Sequence, residues 1–116
     1  MIKEYLESLN EMEYVKGVIL SDRDGIIIES LMSTELNKEL LAAMAAKVAS
    51  NIENNISQLE EKLNSQCIIF TDEVNIFFSI MSDIILILLT DTKANIGGIK
   101  LNMRKYVDLI HDELSG

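Results

Sequence analysis

Residues 35–63 run ELNKELLAAMAAKVASNIENNISQLEEKL, and the fold turns on how this segment is read. No glycine or proline interrupts it, and Leu, Ala, Met, Lys and Glu, all good helix formers, dominate it. Ser33 or Thr34 can cap its N-terminus, and Glu35 and Glu39 put negative charge where the helix dipole favours it. On a helical wheel, one side carries Leu36, Leu40, Leu41, Met44, Val48, Ile52 and Ile56. The other carries Ala42, Ala46 and Ala49, with Ala43 beside them. A helix apolar nearly all round is buried on more than one side. The large side suits a sheet, and the alanine side suits another helix at close range, expected from a second copy in so short a chain.

Working outward, Ile2, Tyr5, Leu6, Leu9 and Met12 recur at helical spacing, which predicts a first helix over residues 1–12. Residues 15–31 hold two β-branched runs joined through Asp24-Gly25, a hairpin pattern. After the long helix, residues 66–90 hold three strand runs: QCIIFT, NIFFSIM and the stretch from Ile84 to Thr90. Asp72-Glu73 and Ser82-Asp83 supply the turns of this meander. All three runs are rich in Ile, Leu or Phe, as strands between two helical layers would be. Asn95 can cap a last helix over residues 95–114, with Ile96, Ile99, Met103, Tyr106, Val107, Ile110 and Leu114 on its core face. This order predicts an α+β fold with a five-stranded antiparallel sheet in a single domain, residues 1–116.

The 116 residues suffice for one core but not two. A formal net charge of −9 argues against nucleic acid and anionic membrane surfaces, which attract basic patches. Cys67 is the only cysteine, which excludes an internal disulfide and fits a reducing compartment. The N-terminal segment is charged throughout, unlike a signal peptide, and the run from Ile84 to Leu89 is far too short to span a bilayer. A cytoplasmic location is the expectation.

Asp22-x-Asp24-Gly25 superficially suggests a calcium loop, but Ile26 stands where a further oxygen ligand is needed and the glycine comes too early. A turn is the expectation. Asp91 to Gly98 lacks the Gly-Lys-Ser/Thr order of a P-loop; Gly97 and Gly98 are expected to let the helix pass close to the sheet. His111, near the end of the last helix, reads as a solvated histidine, and Cys67 as a small buried hydrophobe. One histidine and one cysteine make neither a zinc site nor an unambiguous nucleophile pair. The acidic residues scatter over turns and solvent faces. No catalytic, cofactor-binding or metal-binding residue is assigned, and no cofactor is expected.

The hairpin VKGVILSDRDGIIIES, the Ala-rich helix, the strand IILILLTD and the closing ANIGGIKLNMRKYVDLI together resemble the roadblock (dynein light chain) family. The resemblance covers nearly the whole chain, from Val15 to Ile110, with the elements in matching order, and is to a stand-alone prokaryotic-type member. It implies the roadblock fold, with the long helix on one sheet face and the terminal helices on the other. It also implies a homodimer in which long helices pack together and a strand edge pairs across two subunits. The matching positions are Ala42, Ala46, Ala49 and Glu53 on the helix and Cys67, Ile68, Ile69, Phe70 and Thr71 on the strand. Dimer pairing would cover an apolar edge that otherwise invites aggregation, and Ala46→Arg is expected to give a monomer. The resemblance implies a non-enzymatic module that binds a small Ras-like GTPase and acts at most by stimulating its hydrolysis, without an arginine finger. Arg23 and Arg104 are read as plain solvated charges. The alternative is a structural light chain or scaffold subunit, binding independently of nucleotide. A ligand-sensing domain ranks third, because the many large aliphatic side chains suggest a filled core.

Overall fold

The computed structural model describes residues 1–61 and 66–116. Its elements are α1 (Ile2–Asn10), β1 (Val15–Asp22), β2 (Ile27–Met32), α2 (Lys38–Ser57), β3 (Gln66–Phe70), β4 (Val74–Met81), β5 (Ile84–Asp91) and α3 (Ile96–Ser115). The strands form one antiparallel sheet in the order β2-β1-β5-β4-β3. The last strand in sequence is therefore the middle one, and all its residues from Ile84 to Thr90 are buried. A strand covered on both faces has no polar side to show, which accounts for the unbroken IILILL run. β2 and β3 are the two open edges.

Side-chain alternation sorts the core into two layers. On one face, Leu6 and Leu9 of α1 and Ile99, Met103, Val107 and Ile110 of α3 pack against Val18, Leu20, Phe77, Leu86 and Leu88. On the other, Leu41, Ala42, Ala45, Ala46 and Ala49 of α2 pack against Ile19, Ile76, Phe78, Ile85, Ile87 and Leu89. This is the α+β roadblock arrangement, a five-stranded sheet between one long helix and two terminal ones.

The two sides of the long helix are reversed from the sequence expectation. Ala42, Ala45, Ala46 and Ala49 face the sheet, joined by Leu41 from the large-residue side, while Ala43, Leu36 and Leu40 are exposed and Met44, Val48, Ile52 and Ile56 are half-buried. The sheet supplies the bulk on this face, through Ile, Phe and Leu side chains, so apart from Leu41 the helix facing it has room for little more than methyl groups. The β1–β2 turn sets the approach. Asp22 Oδ1 accepts from the backbone N–H groups of Asp24 and Ile26 at 2.9 and 3.0 Å, and Gly25 takes a φ of +86°. A Cβ on Gly25 would stand 2.9 Å from Ala43 Cα, so the turn lies directly on the helix backbone.

The helix boundaries also differ. Asn37 is the N-cap of α2, accepting from Leu40 N–H at 3.0 Å, and Ser33 instead bonds the Lys16 carbonyl, extending the β1–β2 contact. The helix stops at Ser57, where Asn55 and Ser57 side chains turn back onto the Asn51 and Asn54 carbonyls. Such side chains compete with the helix for its backbone. Residues 62 and 63 of the expected helix lie outside the described residues. At α3, Asn95 caps by accepting from Gly98 N–H at 3.1 Å. A Cβ on Gly97 or Gly98 would meet nothing closer than the Asn95 side chain, at 3.7 and 3.4 Å. The glycine pair thus belongs to the cap and does not bring the helix close to the sheet. Ile96 and Leu114, expected in the core, sit at the helix ends beyond its reach and are exposed.

Candidate interaction surface

Turning four alanines and Leu41 inward leaves Leu36 and Leu40 outward, with Met44 and Val48 half-buried beside them. Leu36 is 48% and Leu40 67% exposed, one turn apart, on the stretch that leads into the helix and on its first turn. Beside them a groove of about 310 Å³ runs between the start of α2 and the sheet. Leu36, Leu40, Leu41, Met44, Val74, Ile76 and Leu89 line it, with Asn37 at its rim. Isolated exposed leucines are ordinary, but an apolar groove continuous with a run of them marks a surface suited to a partner.

Beyond β4, which carries Val74 and Ile76, β3 is an open edge of the sheet. Its pairing with β4 runs from Gln66 opposite Ser79 to Phe70 opposite Asn75, leaving its outer backbone groups without a strand partner among the described residues. Phe70 is 63% exposed at its end. Thr71 closes the following turn, its hydroxyl donating to the Val74 carbonyl at 2.8 Å. Edge strands of this kind are templates for pairing with another chain.

Of the residues expected at the interface, Ala42, Ala46 and Ala49 are buried on the chain's own sheet and offer no surface. Cys67 and Ile69 point to the α2 layer and Ile68 to the opposite one, so what this strand exposes is chiefly its backbone edge and Phe70. Cys67 is half-buried rather than sealed in the core. Burial, and secondarily the neighbouring Glu53 carboxylate, hold its thiol above the ordinary range.

Glu53 is engaged within the chain. Arg23, at the tip of the β1–β2 hairpin, donates to Glu53 Oε1 and, at 3.1 Å, to the Ser82 carbonyl in the β4–β5 turn. Arg23 is thus a tie between three segments and not the solvated charge expected. Arg104 is exposed on α3. His111 is partly buried, its Nδ1 4.0 Å from Asp112 Oδ1. No helix among the described residues is long and apolar enough to cross a membrane. The sequence shows Leu36 and Leu40 as part of an apolar side, but periodicity alone does not say that this side faces away from the sheet. The signal that could have placed them is the pairing of an all-alanine face with strands rich in Ile and Phe, because bulk on one side demands its absence on the other.

Comparison with known proteins agrees with this architecture. The family model described as mitogen-activated protein kinase kinase 1 interacting matches residues 1–115. In Methanocaldococcus jannaschii, the protein MJ0310 is 29% identical over 110 residues, covering 95% of this chain and 96% of that one. MJ0714 of the same organism is 30% identical over 110 residues, covering 95% and 93%. Among solved structures, Myxococcus xanthus MglB superposes with a TM-score of 0.90 at 17% identity, over 98% of this chain and 94% of that one. A roadblock/LC7 domain from Streptomyces avermitilis gives 0.87 at 16% identity, over 97% of each chain. At these identities the likeness concerns the fold.

Proposed function

The chain belongs to the mitogen-activated protein kinase kinase 1 interacting family and carries the roadblock/LC7 fold, and from that premise we propose that it is a homodimeric interaction module which binds and regulates a small Ras-like GTPase. The observation that carries the reading is the outward apolar side of α2 with its groove, together with the open β3 edge. A protein that must stay in solution keeps such surface only where a partner covers it. In this reading the second copy pairs along β3 and packs on Leu36, Leu40, Met44 and Val48, in place of the alanines. Glu53 contributes at most from its exposed edge, since Arg23 already holds it. The GTPase binds the assembled pair, and the module supplies shape and contacts rather than a catalytic group.

The test has two stages. Sedimentation velocity at micromolar concentration is expected to show a dimer, and Leu40→Glu to shift it to monomer with an unchanged circular dichroism spectrum. A monomeric parent protein would overturn the homodimer. The dimer is then used to capture proteins from a lysate of its source, in parallel with a non-hydrolysable GTP analogue and with GDP. Retention of a small GTPase in one nucleotide state supports regulation. The family's description names interaction with a kinase kinase and no GTPase, which supports a second reading, a scaffold subunit. Equal retention of a larger non-GTPase partner in both states would put that reading first.

A further inference from the structure

From Thr92 to Val107 the chain has no carboxylate, although the whole carries a net charge of −9. The same stretch holds four cations, Lys93, Lys100, Arg104 and Lys105. Three of them ride on the N-terminal half of α3, while Asp108, Asp112 and Glu113 occupy its C-terminal half. The helix dipole favours the opposite order, acids first and bases last. Lys100 and Arg104 stand one turn apart, where like charges repel, and neither has an ion-pair partner among the described residues. This arrangement weakens the helix electrostatically and concentrates positive potential at one place.

That place is a groove. Gln66 at the start of β3 donates from Nε2 to the Lys100 carbonyl at 2.8 Å, latching the edge strand to α3. Between them lies a hollow of about 270 Å³ lined by Gln66, Ile68, Lys100 and Arg104. It continues past Gly97, which presents no side chain, to Leu101, 71% exposed on the outer turn. The groove lies on the α1/α3 face, away from the apolar side of α2.

We infer that the groove between α3 and β3 docks an acidic segment of a partner protein, with carboxylates on Lys100 and Arg104 and an apolar side chain against Leu101. Charge complementarity selects the occupant. An extended polyanion such as a nucleic acid or an anionic bilayer meets the field of the whole chain, which is negative. A short acidic segment meets only the local patch, and its apolar residue uses Leu101 and the mouth of the groove. Two cationic side chains one helical turn apart, with Cβ atoms about 6 Å from each other, match carboxylates one helical turn or two extended residues apart. The groove uses the face of β3 that carries Ile68, whereas the dimer proposed above uses the strand's backbone edge and the α2 side, so the inference stands whether or not that dimer forms.

The experiment uses the full chain, isotopically labelled for NMR, and three probes. These are a fluorescein-labelled peptide of alternating Glu and Leu, one of alternating Glu and Ser with equal charge, and phosphatidylserine vesicles. Saturable binding of the Glu/Leu peptide is expected, with shifts at the Gln66 side-chain amide and weakening by salt. The Glu/Ser peptide should bind several-fold more weakly. Lys100→Glu with Arg104→Glu should weaken the Glu/Leu peptide about tenfold or more by turning attraction into repulsion, with sedimentation and circular dichroism unchanged. If the double reversal unfolds the chain, Lys100→Gln with Arg104→Gln is used, and a several-fold loss is expected. Absence of saturable binding, equal binding of the two peptides, tighter binding to vesicles, or insensitivity to charge removal would overturn the inference. A change of sedimentation in the charge variants would overturn it too, by assigning the groove to contact between copies.

Discussion

Arg23 leaves the tip of one hairpin and reaches both the Ser82 carbonyl of another turn and the Glu53 carboxylate of α2. Its guanidinium has the several fixed donors such a junction requires, which a lysine lacks. Glu53 in turn faces Cys67, and the thiol responds to both burial and that charge. Glu53→Gln removes the charge and frees Arg23, so both effects lower the thiol's affinity for its proton. Alkylation of Cys67 by iodoacetamide at pH 8 is expected to be slower in the parent than in the unfolded chain, and faster in Glu53→Gln than in the parent. Because the folded thiol holds its proton more tightly than the unfolded one, its contribution to stability is complete below the ordinary thiol range and is lost as pH rises through the folded value. Gly25 is the other decisive residue. Gly25→Ala places a Cβ 2.9 Å from the Ala43 Cα at a φ of +86°. It is expected to cost about 2–4 kcal/mol in denaturant unfolding, since left-handed strain and a backbone clash add. A cost below about 1 kcal/mol would show that the turn is not tightly seated on the helix.

At the scale of the element, α2 shows two apolar sides with different tasks. Its alanines set how closely helix and sheet approach, and its leucines define what the surface offers. The two sides predict opposite outcomes for charge insertion. Ala46→Arg drives a long cation between helix and sheet and is expected to destabilise the fold by about 3 kcal/mol or more, seen as a lowered denaturation midpoint. Leu40→Glu changes an exposed position and is expected to move stability by less than about 1 kcal/mol while abolishing self-association. A stable monomer from Ala46→Arg would restore the alanine side as the interface. The helix ends teach a related lesson. Ser33 and Thr34 carry capping chemistry, but Ser33 is taken by the Lys16 carbonyl, so Asn37 starts the helix. Several residues suit a cap, and the strand that ends nearby decides which is free.

For the whole molecule, the net charge of −9 sets the conditions for assembly. Bringing two such chains together concentrates like charge, and salt screens that repulsion within a Debye length of about 8–10 Å. The proposed dimer, held by apolar side chains and backbone pairing, is therefore expected to tighten as salt rises from 50 to 300 mM (about a sixfold change in screening ions), as measured by analytical ultracentrifugation. Weakening over that range would mean that ion pairs, not apolar contacts, hold the copies together. The acidic-segment groove predicts the reverse salt response, so one titration separates the two surfaces.

Element order, strand count and the two-layered sheet were legible in the sequence because they rest on local periodicity. Alternation gives strands, recurrence every three to four residues gives helices, and Asp24-Gly25 and Ser82-Asp83 mark turns. Asn95 likewise announced the start of α3. The unbroken Ile and Leu of β5 already implied a strand covered on both faces. Which side of α2 meets the sheet was not legible, since both sides are apolar and a wheel shows direction without naming the neighbour. That choice was settled by complementarity of volume between α2 and the buried Ile, Phe and Leu side chains of three strands, two of them later in the chain. The surface left for a partner followed from it. Arg23 with Glu53 and Gln66 with Lys100 also lie 30 and 34 residues apart in the chain. Periodicity carries no information across such separations, so only tertiary packing brings these groups together.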